Sequence, residues 1–284
     1  MFCKKFLLHK NYTMKWTILF LVSLCFVSNS IAQPQKKVLK KVMEITMPGV
    51  QGDDGSNCAS VVFHPVSKKY YIPMVGNAIY PFAIFDSKGK LLSQANAGND
   101  LRGLWYNPKT KKIEGNCYYK GGWVKYTVDA KGEIPIDFET RTFESIFLDT
   151  MIQPENQSVG VFNAKENIVY FLYQTGVVIY NMKGEQQKTI ELKKSKSDTA
   201  ILYDSKNTTY NISEIIYTSI PKAEIGLLNT EDKKIEFYNK ATGIYTTEWI
   251  LPEDAAVQKN FNFAYANGMV WLFDKENRKW VAYK

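Results

Sequence analysis

The chain has 284 residues, 45% of them hydrophobic and 14% aromatic, and a formal charge of +8. About half of that charge lies in Lys4, Lys5, Lys10 and Lys15, and the remaining basic residues are scattered lysines with three arginines, Arg102, Arg141 and Arg278. So dispersed and arginine-poor a pattern excludes a nucleic-acid surface, and two cysteines beyond residue 32 exclude a disulfide scaffold.

The chain opens on an export signal. The four leading lysines form its basic head, Trp16 to Val27 an apolar run of 12, and Ser30 and Ala32 the small residues of a cleavage site before Gln33. Met14 begins a segment that is a complete signal by itself. Twelve apolar residues fall short of the roughly 20 that span a bilayer. Cys25 follows Leu24, not the small residue expected before a lipid-modified cysteine. Residues 1–32 are expected to be cleaved, leaving 33–284 as one exported domain, in the periplasm or at the outer surface, with no integral membrane segment. Such a length is ample for a single core.

Next, KKVLKKVMEITMP at 36–48 alternates like a strand and has no hairpin partner of its own. From there the chain is periodic. VVFHPVSKKYYIP (61–73) returns as GLWYNPKTKKIEG (103–115), 43 residues on, and IFDSKGKLL (84–92) returns at the same offset as TVDAKGEIP (127–135). Three more copies cover 158–192, 213–250 and 260–284, with Asn163, Ser219 and Ala266 at the position of His64 and Asn107. Each copy is predicted to run strand A, tight turn, strand B, loop, strand C, Asp/Asn-x-Lys-Gly turn, strand D. The Asx side chain caps the last turn and its glycine takes the positive φ. Short strands rich in Val, Ile, Tyr and Phe between such turns are antiparallel β.

A four-stranded unit repeating at this length predicts an all-β fold, a β-propeller. Five blades are favoured; a sixth requires strands from the longer connections at 137–156 and 192–211, of which TAILYD (199–204) is the best candidate. The last copy stops after strand C, so the strand at 36–48 is expected to complete it and remove the exposed edge.

The turn pattern, strand A ending in His/Asn-Pro and strand C in Asp/Asn-x-Lys-Gly, resembles the NHL- and TolB-like propeller repeats over residues 37–284. That resemblance implies the fold and a binding role. It rests on turn positions and carries no catalytic residue over.

His64 invites a catalytic reading, being the lone histidine beyond the signal. Its counterparts in the repeat are Asn, Ser and Ala, so it is read as a turn residue, and no catalytic residue, metal or cofactor is expected. Function is expected instead at the D–A and B–C loops around one mouth of the channel. The candidates there are Asp53, Asp54, Asn57, Asp100, Arg102, Glu214 and Asn260, with Tyr80, Trp123 and Tyr203 as aromatic platforms. GDDGSN (52–57) lacks the alternating spacing of a calcium loop. These residues suit a binding module for a protein or glycan, expected as a monomer. The alternative is a glycan-active hydrolase, with Asp54, Asp100 and Glu214 converging at the channel mouth. Cys58 and Cys117 are read as two buried thiols, with one disulfide as the alternative.

Overall fold

The computed structural model describes residues 36–134, 143–147 and 149–284. The segment read as an export signal lies outside them, as does Arg141. Five small antiparallel sheets form the five blades of a propeller. The inner strands A are Val62–His64, Leu101–Asn107, Val161–Asn163, Ile216–Ile220 and Phe263–Ala266. They adjoin one another in a closed circle.

Local chemistry sets the turns. At the A–B turns His64, Asn107 and Asn163 accept from the N–H of the residue four positions on through their carbonyls. Their side chains cap the same turns: His64 Nδ1 takes Ser67 N–H (3.1 Å), Asn107 Oδ1 takes Lys109 N–H (3.0 Å) and Asn163 Oδ1 takes Lys165 N–H (3.1 Å). In the fourth blade the capping residue is Thr218, which takes Ile220 N–H at 3.0 Å, rather than Ser219. A bulge between Tyr217 and Ile220 shifts the register there by one. The C–D turns repeat equally closely, with Asp86, Asp129, Asn181 and Asn239 each accepting two backbone N–H groups. Gly243 closes the last of these at φ +68°, and a Cβ there would strike the Glu191 carbonyl of the preceding blade.

Side chains alternate across each strand, and both faces of a blade meet a neighbouring blade. Tyr70, Ile72 and Met74 therefore pack against Trp271, Phe273 and Trp280 of the fifth blade, while Tyr71 packs against Leu104, Ile113 and Tyr126 of the second. Five such clusters fill the five seams. This is why VYFLY and MVWLF are continuous apolar runs, and where most of the aromatic content goes.

The ring closes as its strand count requires. Lys41–Thr46 pairs antiparallel with Lys279–Tyr283, seating Ile45 opposite Trp280. Lys37–Val38 adds a short parallel edge to Tyr245–Ile250 of the fourth blade, tying two blades at once.

Among the described residues the two long connections add no sixth blade. The first supplies Phe143–Phe147, strand D of the second blade, well downstream of the Asp129 turn where the repeat places it. The second is a wedge between blades three and four. Tyr203 bridges to Gln174, Tyr210 to Asn229, and both rings are buried in that seam. Lys194 from this wedge reaches the buried Glu236, which also accepts from Tyr210 Oη (3.0 Å) and Tyr238 Oη (3.1 Å). Burial pushes the Glu236 carboxyl up, but the hydrogen bonds from Lys194 and Tyr210 and the Lys234 charge hold it ionised, below its ordinary value.

Removal of residues 33–48 should leave a chain without a cooperative thermal transition, since it strips the closing strand and bares an apolar seam. Calorimetry checks this; a soluble truncation melting in one sharp step would refute closure by this strand.

Candidate functional site

Blades radiate from the axis, so the inner edge of each strand A has no strand to pair with. Side chains take its N–H groups instead. Ser60 Oγ accepts from Leu104 N (3.0 Å) and Asn116 Oδ1 from Gly103 N and Gly160 N (2.9 Å each). Glu214 Oε2 accepts from Phe263 N, and Asn262 Oδ1 from Cys58 N, both at 2.9 Å. Before the fourth inner strand, Asn211 Oδ1 takes Ser213 N (3.1 Å) and Glu214 N (2.9 Å). A buried N–H left unpaired costs about 1–3 kcal/mol, which makes these side chains part of the ring's construction.

Two cavities lie along the axis. The first, about 720 Å³, opens at the face of the D–A and B–C loops. Asn57, Gln157, Ser213 and Asn260 line it where inner strands begin, and Lys259 and Lys275 stand at its sides. Neither lysine meets a carboxylate among the described residues. Arg102 is buried beside this basin, where it donates through Nε to Gln157 Oε1 (2.7 Å), pairs with Asp100 and lies over the Tyr118 ring. The second cavity, about 320 Å³, occupies the channel and opens toward the A–B turns. Phe261 lines the basin and packs on Ala59 and Val159, which line the channel cavity, and the two cavities share no lining residue.

The residues singled out from sequence are dispersed among these features. Asn57 and Asn260 line the basin, and Arg102 with Asp100 stands next to it. Glu214 lines the channel cavity instead. Asp54 folds back on Val50 N–H at 3.1 Å, and Asp53 projects from the same loop, exposed. Tyr80 lies over Gly55 and Gly76. Trp123 and Tyr203 are buried in blade seams, Trp123 donating through Nε1 to Ile152 O at 3.0 Å, so neither presents an open ring face. Asp54, Asp100 and Glu214 thus have separate surroundings and line no common cavity. Among the described residues no three metal-ligating side chains gather. His64 caps its turn and meets Tyr106 edge-on at 4.6 Å, and burial lowers its pKa. Cys58 and Cys117 are both free and buried.

Sequence reasoning passed over Gln157, Ser213, Lys259, Phe261 and Lys275 in the basin. It also passed over one aromatic side chain per blade at the channel's A–B mouth: Phe63, Tyr106, Phe162, Tyr217 and Tyr265. Each immediately precedes its turn residue. That signal was legible once the fourth turn is placed on Thr218.

Glu214 is fully buried, with Oε2 on Phe263 N–H and Oε1 without a partner among the described residues. Burial pushes its pKa well above the ordinary carboxylate range, against the smaller pull of the Phe263 N–H.

No protein-family model matches the chain, and no match was found among curated proteins. Solved structures are similar to it. A glutaminyl cyclase from Myxococcus xanthus superposes with a TM-score of 0.55 at 9% identity, over 89% of this chain and 98% of that one. A selenomethionine-substituted virginiamycin B lyase from Staphylococcus aureus gives 0.48 at 9% identity, over 87% and 99% of the two chains. A nidogen/laminin complex gives 0.43 at 9% identity, over 76% and 72%. At such identity the likeness to the first carries the propeller fold alone.

The Glu214 carboxyl makes stability depend on pH with a defined sign. Its folded pKa exceeds its unfolded one, so the folded chain holds an extra proton above the ordinary carboxylate range, and stability falls as pH rises from there. Glu214→Gln keeps the acceptor for Phe263 and does not titrate. The melting temperature of the variant minus that of the parent should widen between pH 4 and pH 8, at about 2–4 °C for each kcal/mol in a chain of this size. A gap constant across that range in calorimetry would show a carboxyl that is not held protonated.

Proposed function

We propose that this chain is an exported, non-catalytic propeller that binds a ligand or protein partner at its D–A loop face. The observation that carries this reading is the basin on the axis, a rigid concavity built from strand starts and lined by amides, the Ser213 and Thr230 hydroxyls and two ammonium groups that meet no carboxylate among the described residues. The closed ring fixes those groups in place, so little conformational freedom is lost on binding. Amides and hydroxyls supply both donors and acceptors, and Lys259 and Lys275 favour an anion. The ligand class that fits is an acidic glycan or an acidic peptide segment. A periplasmic or outer-surface location follows from the basic, apolar and small-residue order of the first 32 residues. The turn chemistry of the blades supports a place among NHL- and TolB-like repeats, where binding through one face of the ring suits the same geometry.

A hydrolase acting on glycans needs two carboxylates facing one bond. Asp54, Asp100 and Glu214 are engaged separately by Val50, Arg102 and Phe263, and the basin is lined by none of them.

The test is a glycan and acidic-peptide array probed with the parent protein and with a Lys259→Glu, Lys275→Glu double variant. Point substitutions are preferred to removal of 192–211, because that segment is part of a core seam. Binding should select acidic probes, weaken with salt, and drop at least tenfold in the double variant. Equal binding by both proteins would remove the basin as the site.

A further inference from the structure

A row of planar groups leads from the rim of the D–A and B–C loop face to the basin. Tyr118 and Tyr119 lie between strands B and C of the second blade and are 38% and 45% exposed. Their ring centroids are 6.2 Å apart. The Arg102 guanidinium lies over the Tyr118 ring at 4.7 Å and over the Phe261 ring of the basin at 5.8 Å. Arg102 also donates to Gln157 of the basin wall at 2.7 Å. Two tyrosines open to solvent thus stand one guanidinium away from the lining of the basin.

The pair is held in place. Tyr118 donates its N–H to Asp100 O (2.7 Å), Tyr119 to Asn156 O (3.3 Å) and Gly121 to Tyr118 O (2.9 Å). Asn156 immediately precedes Gln157, so the turn carrying the rings is tied to the chain that walls the basin. Tyr119 takes φ +51°, a region that a bulky residue seldom occupies unless its surroundings keep it there. Single exposed apolar side chains are ordinary. Two adjacent rings fixed beside a cavity are a stacking surface that loses little freedom when a ligand arrives. Lys120, next in the chain, is exposed with Nζ 5.6 Å from the Tyr119 ring, and it meets no carboxylate among the described residues.

We propose that the basin and the Tyr118–Tyr119 pair together bind an acidic oligosaccharide, a chain of pyranose rings bearing carboxylates. One sugar ring stacks on the tyrosines, and carboxylates along the chain meet Lys120, Lys259 and Lys275. The assignment rests on the basin being the binding site, and it selects the glycan over the acidic peptide. Sugar hydroxyls both donate and accept, as do the side-chain amides of Asn57, Gln157 and Asn260 in the basin. The C–H groups on one face of a pyranose meet the negative face of a tyrosine ring. An extended peptide gains its affinity chiefly by pairing with an open strand edge. Near the axis that edge is closed, because side chains already take the N–H groups of Cys58, Gly103, Leu104, Gly160 and Phe263. The lysines then favour an acidic sugar over a neutral one.

The test is titration calorimetry of the purified protein with four probes: hexamers of galacturonate and of guluronate, the methyl ester of the galacturonate hexamer, and a hexaglutamate peptide. A uronate hexamer should bind at least tenfold more tightly than the ester or the peptide. Tyr119→Ala should weaken that binding at least fivefold and the Tyr118→Ala, Tyr119→Ala double variant at least tenfold, each with an unchanged circular-dichroism melt. Tyr119→Phe, which keeps the ring, should stay within about threefold of the parent. The Lys259→Glu, Lys275→Glu variant should lose at least tenfold. Uronate binding that falls in the lysine variant but not in the tyrosine variants would overturn the stacking pair and leave the basin standing. Hexaglutamate binding as tight as that of the uronates, and lost in the lysine variant, would keep the basin and overturn the glycan. Uronate binding that needs the tyrosines but not the lysines would remove the basin, and no saturable binding by either uronate would overturn the assignment altogether.

Discussion

The inner edge of each blade is the constraint on which the rest of this structure depends. Strands pair outward from A to D, and the next blade is set at an angle, so the backbone facing the axis has no ladder to join. Ser60, Asn116, Asn211, Glu214 and Asn262 supply the missing acceptors, four of them to N–H groups of the adjoining blade. The last of these links, from Asn262 to Cys58 N–H, joins the fifth blade to the first. It works only if the ring is shut, which the strand Lys41–Thr46 accomplishes from the other end of the chain. Axis polarity and ring closure are thus one requirement met twice.

That requirement explains why polar residues near the axis are ambiguous in a sequence. An Asn or Glu at the start of an inner strand marks a ligand site in some rings and an edge acceptor in others, and nothing in its local pattern separates the two. Glu214 closes an edge with one oxygen, while the other is buried without a partner among the described residues. Arg102 is decided by its neighbours, as Asp100, Gln157 and Tyr118 absorb its charge and its plane.

What was legible was local. The Asx caps at 86, 129, 181 and 239 and the A–B caps at 64, 107 and 163 are set by side chains within four residues of the groups they bond, so a single sequence suffices to place them. Blade number and the completing strand follow by counting. What failed was non-local or shifted by one. The bulge after Tyr217 moved the fourth cap from Ser219 to Thr218, and with it hid the alignment of five aromatic residues. Strand D of the second blade is displaced to Phe143–Phe147, beyond a segment that a uniform repeat would end sooner. Trp123 and Tyr203 resemble platforms because they stand close to loops, yet their burial is decided by seams built from residues dozens of positions away.

The two cavities share an axis and differ in every property that governs recognition. The basin carries amides, hydroxyls and two lysines, and the channel cavity has an aromatic mouth and a wall of Ala59, Val159, Ile215 and Ala264. Phe261 stands at the basin, its ring packed on Ala59 and Val159 and facing the buried Arg102 guanidinium at 5.8 Å. The loop carrying Phe261 is itself pinned: Ser213 Oγ accepts its N–H at 2.7 Å, Asn211 Nδ2 donates to its carbonyl at 2.9 Å, and its φ is +51°. A non-glycine residue held at positive φ by two such bonds is placed by its surroundings rather than by its own preference. Asn211, which also satisfies the inner edge before the fourth strand A, thus helps to fix an aromatic side chain of the basin.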